Sequence, residues 1–358
     1  MSYTVHTFDE DELGPVARFL RDFSEIDKDN PLGSKRNESE ILENLKNRLA
    51  SNPARSANVP LGLCLKDHTG KLNGTLLIYP WRFRHRNQVF WGLGEGALFV
   101  DALARPHGIS LFRRYLDLKA CDFHFAVTNN QAATSLWVKF GGVPLATSGY
   151  EYLFPIDIAP MAQEFAIRKG HTLPAALFSA LSGKLVNPVS MWRSATSKLT
   201  IQQTHDWEKV ASIAEKNRDP DSLVCDRSIA YLEWSYSKFQ EINAERKVFI
   251  FETKTGQLGW FSMGWRRRGS LNQIYTARLL DWSIPDSFDF NKIVGAALQI
   301  ARSRRSHLLA IQARSDLSIR TAGSMIRHYE APRASVRSTT HDPNSLADKL
   351  IISVADVF

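Results

Sequence analysis

Apolar residues recur at helical spacing near the start of the chain, where Leu13, Val16, Phe19 and Leu20 form one stripe after Asp11. The spacing predicts a helix there and a second over Glu38 to Leu49, both ahead of the first sheet. From Val59 the pattern becomes strand-like, with runs over Leu61 to Leu65, Gly74 to Phe83 and Val89 to Asp101. Turn signals at His68-Thr69-Gly70 and Arg86-Asn87 separate them and predict an antiparallel meander. Helix and strand then alternate. A helix over His107 to Ala120 presents Ile109, Phe112 and Leu116, a strand over Asp122 to Thr128 presents Phe123, Phe125 and Val127, and a helix over Asn130 to Phe140 presents Ala133, Leu136, Trp137 and Phe140. Gly141-Gly142 is the expected stop for that last helix.

Residues 155–198 break the rhythm with prolines at 155, 160, 174 and 188, and read as a linker containing one or two helices. Its basic, apolar part from Leu173 to Trp192 suits an interface between units, with peripheral contact to a membrane as the other option. After the linker the first pattern returns. Gly70-Lys71-Leu72-Asn73-Gly74, Trp81-Arg82-Phe83-Arg84 and Asn87-Gln88-Val89-Phe90 are answered by Gly256-Gln257-Leu258-Gly259, Trp265-Arg266-Arg267-Arg268 and Asn272-Gln273-Ile274-Tyr275. A strand ending at Asp281, a helix over Asn291 to Ser303, a strand over His307 to Ala313, a helix over Leu317 to His328 and a final strand over Lys349 to Val354 complete the second set. Two copies of one α/β unit is the expected architecture, a domain over 1–154, a helical linker over 155–198 and a second domain over 199–358.

Composition supports two cores. The chain has 358 residues, of which 44% are hydrophobic and 23% charged, enough apolar material for each half to fold around its own interior. No run is long enough to span a bilayer, and the acidic N-terminus lacks a secretory pattern, so a cytoplasmic location is expected. Cys64, Cys121 and Cys225 are scattered without a C-x-x-C pair, which argues against a disulfide framework and a zinc site; no metal is expected. The net charge of +8 permits an anionic partner without choosing one, and the basic clusters come with no nucleic-acid motif, so no nucleic acid is expected.

The chemistry concentrates in Leu98-Phe99-Val100-Asp101, then Arg105-Pro106-His107-Gly108-Ile109-Ser110, then the stretch from Asn130 to Gly142. A helix opening straight after a strand offers unpaired backbone N–H groups and a positive dipole end to a pyrophosphate. Gly108 lets the backbone approach, Ser110 keeps the first turn uncrowded and Arg105 adds a charge-assisted contact. Taken alone, R-x-x-G-x-S also fits an ordinary helix start. In its context of strand, helix, strand and helix it resembles the central signature of the GNAT superfamily of N-acyltransferases.

That resemblance implies an α/β (α+β) fold of two tandem GNAT-like domains, each a mixed, mainly antiparallel sheet flanked by helices. It implies acetyl-CoA or another acyl-CoA as co-substrate, with the pantetheine arm along Leu98, Phe99 and Val100, the phosphates at Arg105, His107, Gly108, Ile109 and Ser110, and Asn130 beside the cofactor. It also implies Glu95 as the general base, from the strand position where several relatives carry a glutamate. The residues themselves leave Glu95 open as an ordinary satisfied carboxylate, and Asp101, His85 and His124 are the other groups able to take a proton. The pattern departs from the family at Trp137, where relatives often carry a tyrosine that protonates the leaving thiolate, and at His107, often glycine or a basic residue.

The second copy lacks the phosphate signature, reading Ser283-Ile284-Pro285-Asp286-Ser287-Phe288-Asp289 with carboxylates that repel pyrophosphate. It carries Arg227, Tyr231, Leu232, Trp234 and Tyr236, whose aromatic rings suit core packing or stacking on a sugar. This stretch is similar to the second domain of tandem GNAT proteins of bacterial surface-polysaccharide biosynthesis, more distantly to Fem-type aminoacyltransferases. The resemblance implies acyl transfer to an amine, a small molecule or amino sugar. The alternatives are aminoacyl transfer and a non-catalytic protein that binds CoA or sugar.

Overall fold

The computed structural model describes residues 2–26, 37–127, 129–168, 199–238, 244–268, 274–286, 288–312, 319, 324–329 and 332–352. Strand β1 (Tyr3–Phe8) comes first, ahead of the two helices α1 (Leu13–Ile26) and α2 (Glu38–Leu45), so a strand precedes the helices that were expected to lead. It lies at the sheet edge, where only Phe8 is buried, and so carries little apolar signal. A π-turn at Lys46–Ala50 prolongs α2, whose Asn37 and Glu40 form a reciprocal capping box. The meander follows as β2 (Gly62–Asp67), β3 (Leu72–His85) and β4 (Gln88–Val100), with Gly70 at φ 82° and Arg86 at φ 51° in the turns. A 3-10 turn at Ala102–His107 leads into α3 (Gly108–Leu116), shorter than its predicted span and preceded by a turn the spacing did not indicate. Then come β5 (Phe123–Ala126), α4 (Gln131–Lys139), β6 (Val143–Pro144), β7 (Tyr150–Pro155) and α5 (Ala159–Arg168). Residues 169–198, with the segment Leu173 to Trp192, lie outside the described residues.

The second half runs through β8 (Leu199–Thr204), α6 (Trp207–Lys216), β9 (Leu223–Cys225) and α7 (Ile229–Glu233), again prolonged by a π-turn at Trp234–Lys238. It continues with β10 (Ala244–Thr253), β11 (Leu258–Arg268), β12 (Ile274–Ser283), α8 (Asn291–Ser303) and β13 (Leu308–Gln312). The helix expected over Leu317 to His328 is corrected at its end: Met325–His328 is a strand, β14, paired with β7 from Met325↔Leu153 to His328↔Tyr150. β15 (Ser335–Arg337), α9 (Pro343–Lys349) and β16 (Leu350–Ile351) follow, so Lys349 belongs to a helix and the last strand is shorter than expected.

The two sheets exchange strands. The first runs β1-β2-β3-β4-β5-β15-β6, and the second runs β14-β7-β13-β12-β11-β10-β8. The first half lends β7, which enters between β13 and β14, and the second half lends β15, which enters between β5 and β6, together with β9 and β16, of which β9 pairs with β3 and β16 with β9. Helices α3 and α4 cover one face of the first sheet through Phe112, Tyr115 and Trp137 against Leu76, Ile78 and Leu93. Helices α1 and α2 cover the other beside β1 and β2. Between the sheets, Trp81, Phe83, Phe123, Phe125 and Val336 of the first pack against α6, α7 and Val248, Ile250 and Trp260 of the second. The two π-turns meet there, the Trp234 indole donating to the Asn47 carbonyl at 2.7 Å. Arg82 and Arg84 of β3 both reach the buried carboxylate of Asp226. Helix α8 closes the far face of the second sheet. Among the described residues no helix is long and apolar enough to cross a membrane, and no cluster of three His, Cys, Asp or Glu is placed to hold a metal.

Candidate active site

The site grows out of the place where β4 leaves the sheet. Its parallel ladder with β5 runs from Gly92↔Phe123 to Glu95↔Ala126, and β5 ends there while β4 continues to Val100. On the β3 side the register slips, because Leu77 faces Gly96 and Thr75 faces Phe99, which leaves Ala97 and Leu98 against Leu76. Ala97 takes φ 49°, a left-handed backbone that bends the strand in the manner of a β-bulge. From Gly96 onward the strand is half-buried where the preceding residues are buried. Leu98 and Val100 pack toward α3, and Phe99 meets the ring of Phe23 on α1 at 4.7 Å.

Helix α3 begins beyond this run, after the 3-10 turn at Ala102–His107. It has no side-chain cap and no acidic residue in its first turn, and Arg105, Ile109 and Ser110 are exposed. A side chain at Gly108 would place its Cβ 3.2 Å from Val100 Cγ2, so glycine is what lets the helix start sit against the strand end. His107 is half-buried and packs on the Tyr3 ring at 4.7 Å. Asn130 is exposed at the start of α4, and its side-chain oxygen accepts from the Ala133 N–H at 2.9 Å.

Glu95 stands at the point of parting and is buried. Its Oε1 accepts a hydrogen bond from the Trp137 indole N–H at 3.1 Å, while Oε2 has no hydrogen-bond partner among the described residues. Burial raises its pKa to about 7, and the indole hydrogen bond pulls in the opposite direction. The other proton acceptors are elsewhere. His85 pairs with Gln88 at the opposite end of the β3–β4 ladder, and Asp101 closes β4 through backbone bonds to Asn73 and Ala104. His124 is buried against the Tyr115 ring at 4.8 Å, with burial and the charge of Arg337 lowering its pKa to about 4.

Of the residues named from the sequence, Glu95 and Leu98 to Val100 lie on β4, Gly108 to Ser110 open α3 and Asn130 caps α4, while Trp137, read only as a missing acid, is the one bonded to Glu95. Sequence reasoning did not foresee that C-terminal residues bond to the segment around the start of α4. The Asn129 N–H donates to the Arg333 carbonyl at 2.8 Å, Asn129 Nδ2 reaches Ser335 Oγ at 3.0 Å, and Thr134 Oγ1 donates to the Pro332 carbonyl at 3.0 Å. Tyr231, Trp234 and Tyr236 are buried in the core between the sheets, which assigns those rings to packing. Among the described residues, Cys64, Cys121 and Cys225 form no disulfide.

Neither a protein-family model nor a curated protein matches this chain by sequence. Solved structures do match it in fold. A protein of Enterococcus faecalis V583 described as a probable N-acyltransferase aligns with TM-score 0.59 and 10% identity, over 98% of this chain and 75% of its own. N-myristoyltransferase of Saccharomyces cerevisiae, solved with myristoyl-CoA bound, aligns with TM-score 0.56 and 12% identity, over 96% and 80%. A GCN5-related N-acetyltransferase from Anabaena variabilis ATCC 29413 aligns with TM-score 0.55 and 13% identity, over 94% and 73%. The two helix-flanked mixed sheets are thus the fold of GNAT-like N-acyltransferases.

Proposed function

We propose that this protein is an N-acyltransferase that moves an acyl group from acyl-CoA to an amine at the parting of β4 and β5. The observation that carries this is the exposed start of α3, which the 3-10 turn Ala102–His107 joins to the strand run ending at Val100, with no side-chain cap and no acidic residue in its first turn. A diphosphate there would take the N–H groups of Ile109 and Ser110 together with the helix dipole, the Gly108 N–H being bonded to the Arg105 carbonyl, and Arg105 and His107 lie beside it. The pantetheine arm would follow Leu98, Phe99 and Val100, beyond the pairing with β5, and end near Glu95 with Asn130 across the gap. These residues fit the group, since the helix start holds no carboxylate that would repel it.

Glu95 then acts as the base that turns an ammonium acceptor into a free amine. The amine nitrogen attacks the thioester carbonyl, the amide C–N bond forms, the C–S bond breaks, and the N–H proton lost from the nitrogen ends on the CoA sulfur. With a tryptophan at 137, which donates through its ring N–H only, no side chain at that position protonates the thiolate. Positioning of the two reactants carries a correspondingly larger share of the rate. For the acceptor, the sequence resemblance is what supports an amino sugar; the burial of Tyr231, Trp234 and Tyr236 removes the stacking platform that reading used.

The test is calorimetric binding of acetyl-CoA and myristoyl-CoA to the full chain and to Ser110→Glu, an exposed substitution that brings a carboxylate to the helix start. Wild type is expected to bind one of the two and S110E to bind it at least about tenfold more weakly. Equal affinity in both proteins would move the cofactor elsewhere and overturn the reading.

A further inference from the structure

We infer that Trp137 is the positioning residue of the proposed reaction, its indole N–H holding one oxygen of Glu95 so that the other is the one presented to the acceptor's proton. The inference rests on the reading of Glu95 as base. Three features of the packing carry it. Trp137 is fully buried, held edge-on by Phe112 at 5.2 Å and by Tyr115 at 6.3 Å, so the ring has one orientation. Gly142 closes over it from the helix exit: a Cβ there would come within 2.8 Å of the indole Cε3. The Gly142 N–H donates back to the Trp137 carbonyl at 2.8 Å after Gly141 turns the chain at φ 80°.

The chemistry follows from what an indole is. Its nitrogen donates and never accepts, so the bond to Oε1 favours the ionised carboxylate and cannot relay a proton. Oε2 is the oxygen left to do so. The titratable groups on the elements packed around Glu95 do not compete for it. The Tyr115 hydroxyl of α3 donates to the Leu93 carbonyl at 2.5 Å, and His124 of β5 lies on the far side of the Tyr115 ring with its pKa lowered by burial. Lys139, the ionisable residue of α4, is exposed. Without the indole the carboxylate would face the same burial with no donor.

Two measurements test this in the full chain. In Trp137→Phe, the acidic limb of the kcat/KM profile is expected to move up by about one pH unit, and kcat to fall about tenfold with the KM for acyl-CoA unchanged. Phe112→Leu, which loosens the ring but keeps the N–H, should lose rate without moving the limb. A folded W137F with an unmoved limb would reduce Trp137 to packing. The second measurement needs neither turnover nor a stable W137F. The Trp137 indole 1H–15N resonance of the wild type, assigned apart from Trp207 whose ring lies 5.8 Å from that of His205, should titrate between pH 5 and 9 with its midpoint near that of Glu95, and should not do so in E95Q. If that signal is flat in the wild type, the inference fails even where acyl transfer is demonstrated; if the signal titrates but no amine is acylated, the inferred contact stands and the proposed function falls.

Discussion

The parallel ladder of the first sheet ends at Glu95 opposite Ala126, and that of the second ends at Leu279 opposite Ile311. One register apart, Gly94 of the first corresponds to Arg278 of the second, which is locked to the buried Glu151 of the exchanged strand β7 at 2.6 Å. The helix starts differ in the same sense. Asp289 accepts from the Asn291 backbone N–H at 3.0 Å and so supplies the negative charge at the start of α8, whereas α3 opens with none. Phe290 and Asn291 are buried, whereas Ile109 and Ser110 are exposed. The same backbone thus appears twice, once with a buried carboxylate held by an indole beside an exposed helix start, and once with a buried ion pair beside a buried helix start. On the proposed reading the first copy is the one that takes a ligand.

The comparison assumes that the two copies stand because each completes the other, and the largest expected effect tests that. Val336 is fully buried in β15, between β5 and β6, although it comes from the far end of the chain. Val336→Asp would bury an unpaired carboxylate there, a cost of several kcal/mol by the usual reckoning, about enough to unfold a domain of ordinary stability. Loss of a cooperative thermal transition by circular dichroism, together with loss of acyl-CoA binding, is expected. A folded, binding variant would mean that the first sheet does without the exchanged strand. Next in size is the transplant of the acid into the second copy. Leu279→Glu places a carboxylate in the apolar core of the second sheet and should cost roughly 3 to 5 kcal/mol in urea unfolding with no added turnover. Stability equal to the wild type would show that the second parting also holds a donor, and the contrast would collapse.

How far these differences were legible depended on whether their cause was local. The stripe Ala133, Leu136, Trp137 and Phe140 and the alternation through Phe123 and Phe125 announced α4 and β5, because local spacing sets where each element forms, although β5 turns out buried on both faces. The exchange was not legible. Tyr150 to Pro155 reads as a strand in either sheet, and which one it joins is decided by pairing with Leu308 to Gln312, more than a hundred residues on. Residues 325–328 fitted a helical stripe and became strand through the same distant pairing. At the site, the motif marked the backbone path, but Trp137 looked like a deficiency because a motif compares one position with its counterpart. Its hydrogen bond to Glu95 on β4 is visible only once the strand has bent at Ala97.

Within the first copy, two buried groups make stability depend on pH in opposite directions. Burial raises Glu95 from 4.5 to about 7, so the folded state holds its proton more tightly than the unfolded state. The resulting stability is fully present below 4.5 and is lost as pH rises through 7, a change on the order of 3 kcal/mol. His124 runs the other way: lowered from 6.5 to about 4, it contributes stability above 6.5 that is lost as pH falls through 4. Between pH 4.5 and 6.5 the two slopes oppose each other in the wild type. E95Q removes one of them, so its unfolding free energy is expected to rise with pH across that interval while the wild type changes less. Parallel curves for the two proteins would mean that Glu95 titrates alike in the folded and unfolded states.

The smallest effect separates a cap that only stabilises from one that, on the proposed reading, also meets the cofactor. Asn130 caps α4 by accepting from Ala133, and Asp206 caps α6 by accepting from Lys209, both at 2.9 Å. Replacing either by alanine frees one backbone N–H at a helix start and should cost about 1 kcal/mol, because the two bonds are of the same kind. Their consequences for binding should differ. Asn130 begins α4, the helix after β5 at the ladder's end, whereas Asp206 begins α6, the helix after the edge strand β8. Asn130→Ala is therefore expected to weaken acyl-CoA binding severalfold, and Asp206→Ala to leave it unchanged at the same loss of stability. Equal affinities in the two variants would place Asn130 outside the cofactor path and confine its role to the helix it caps.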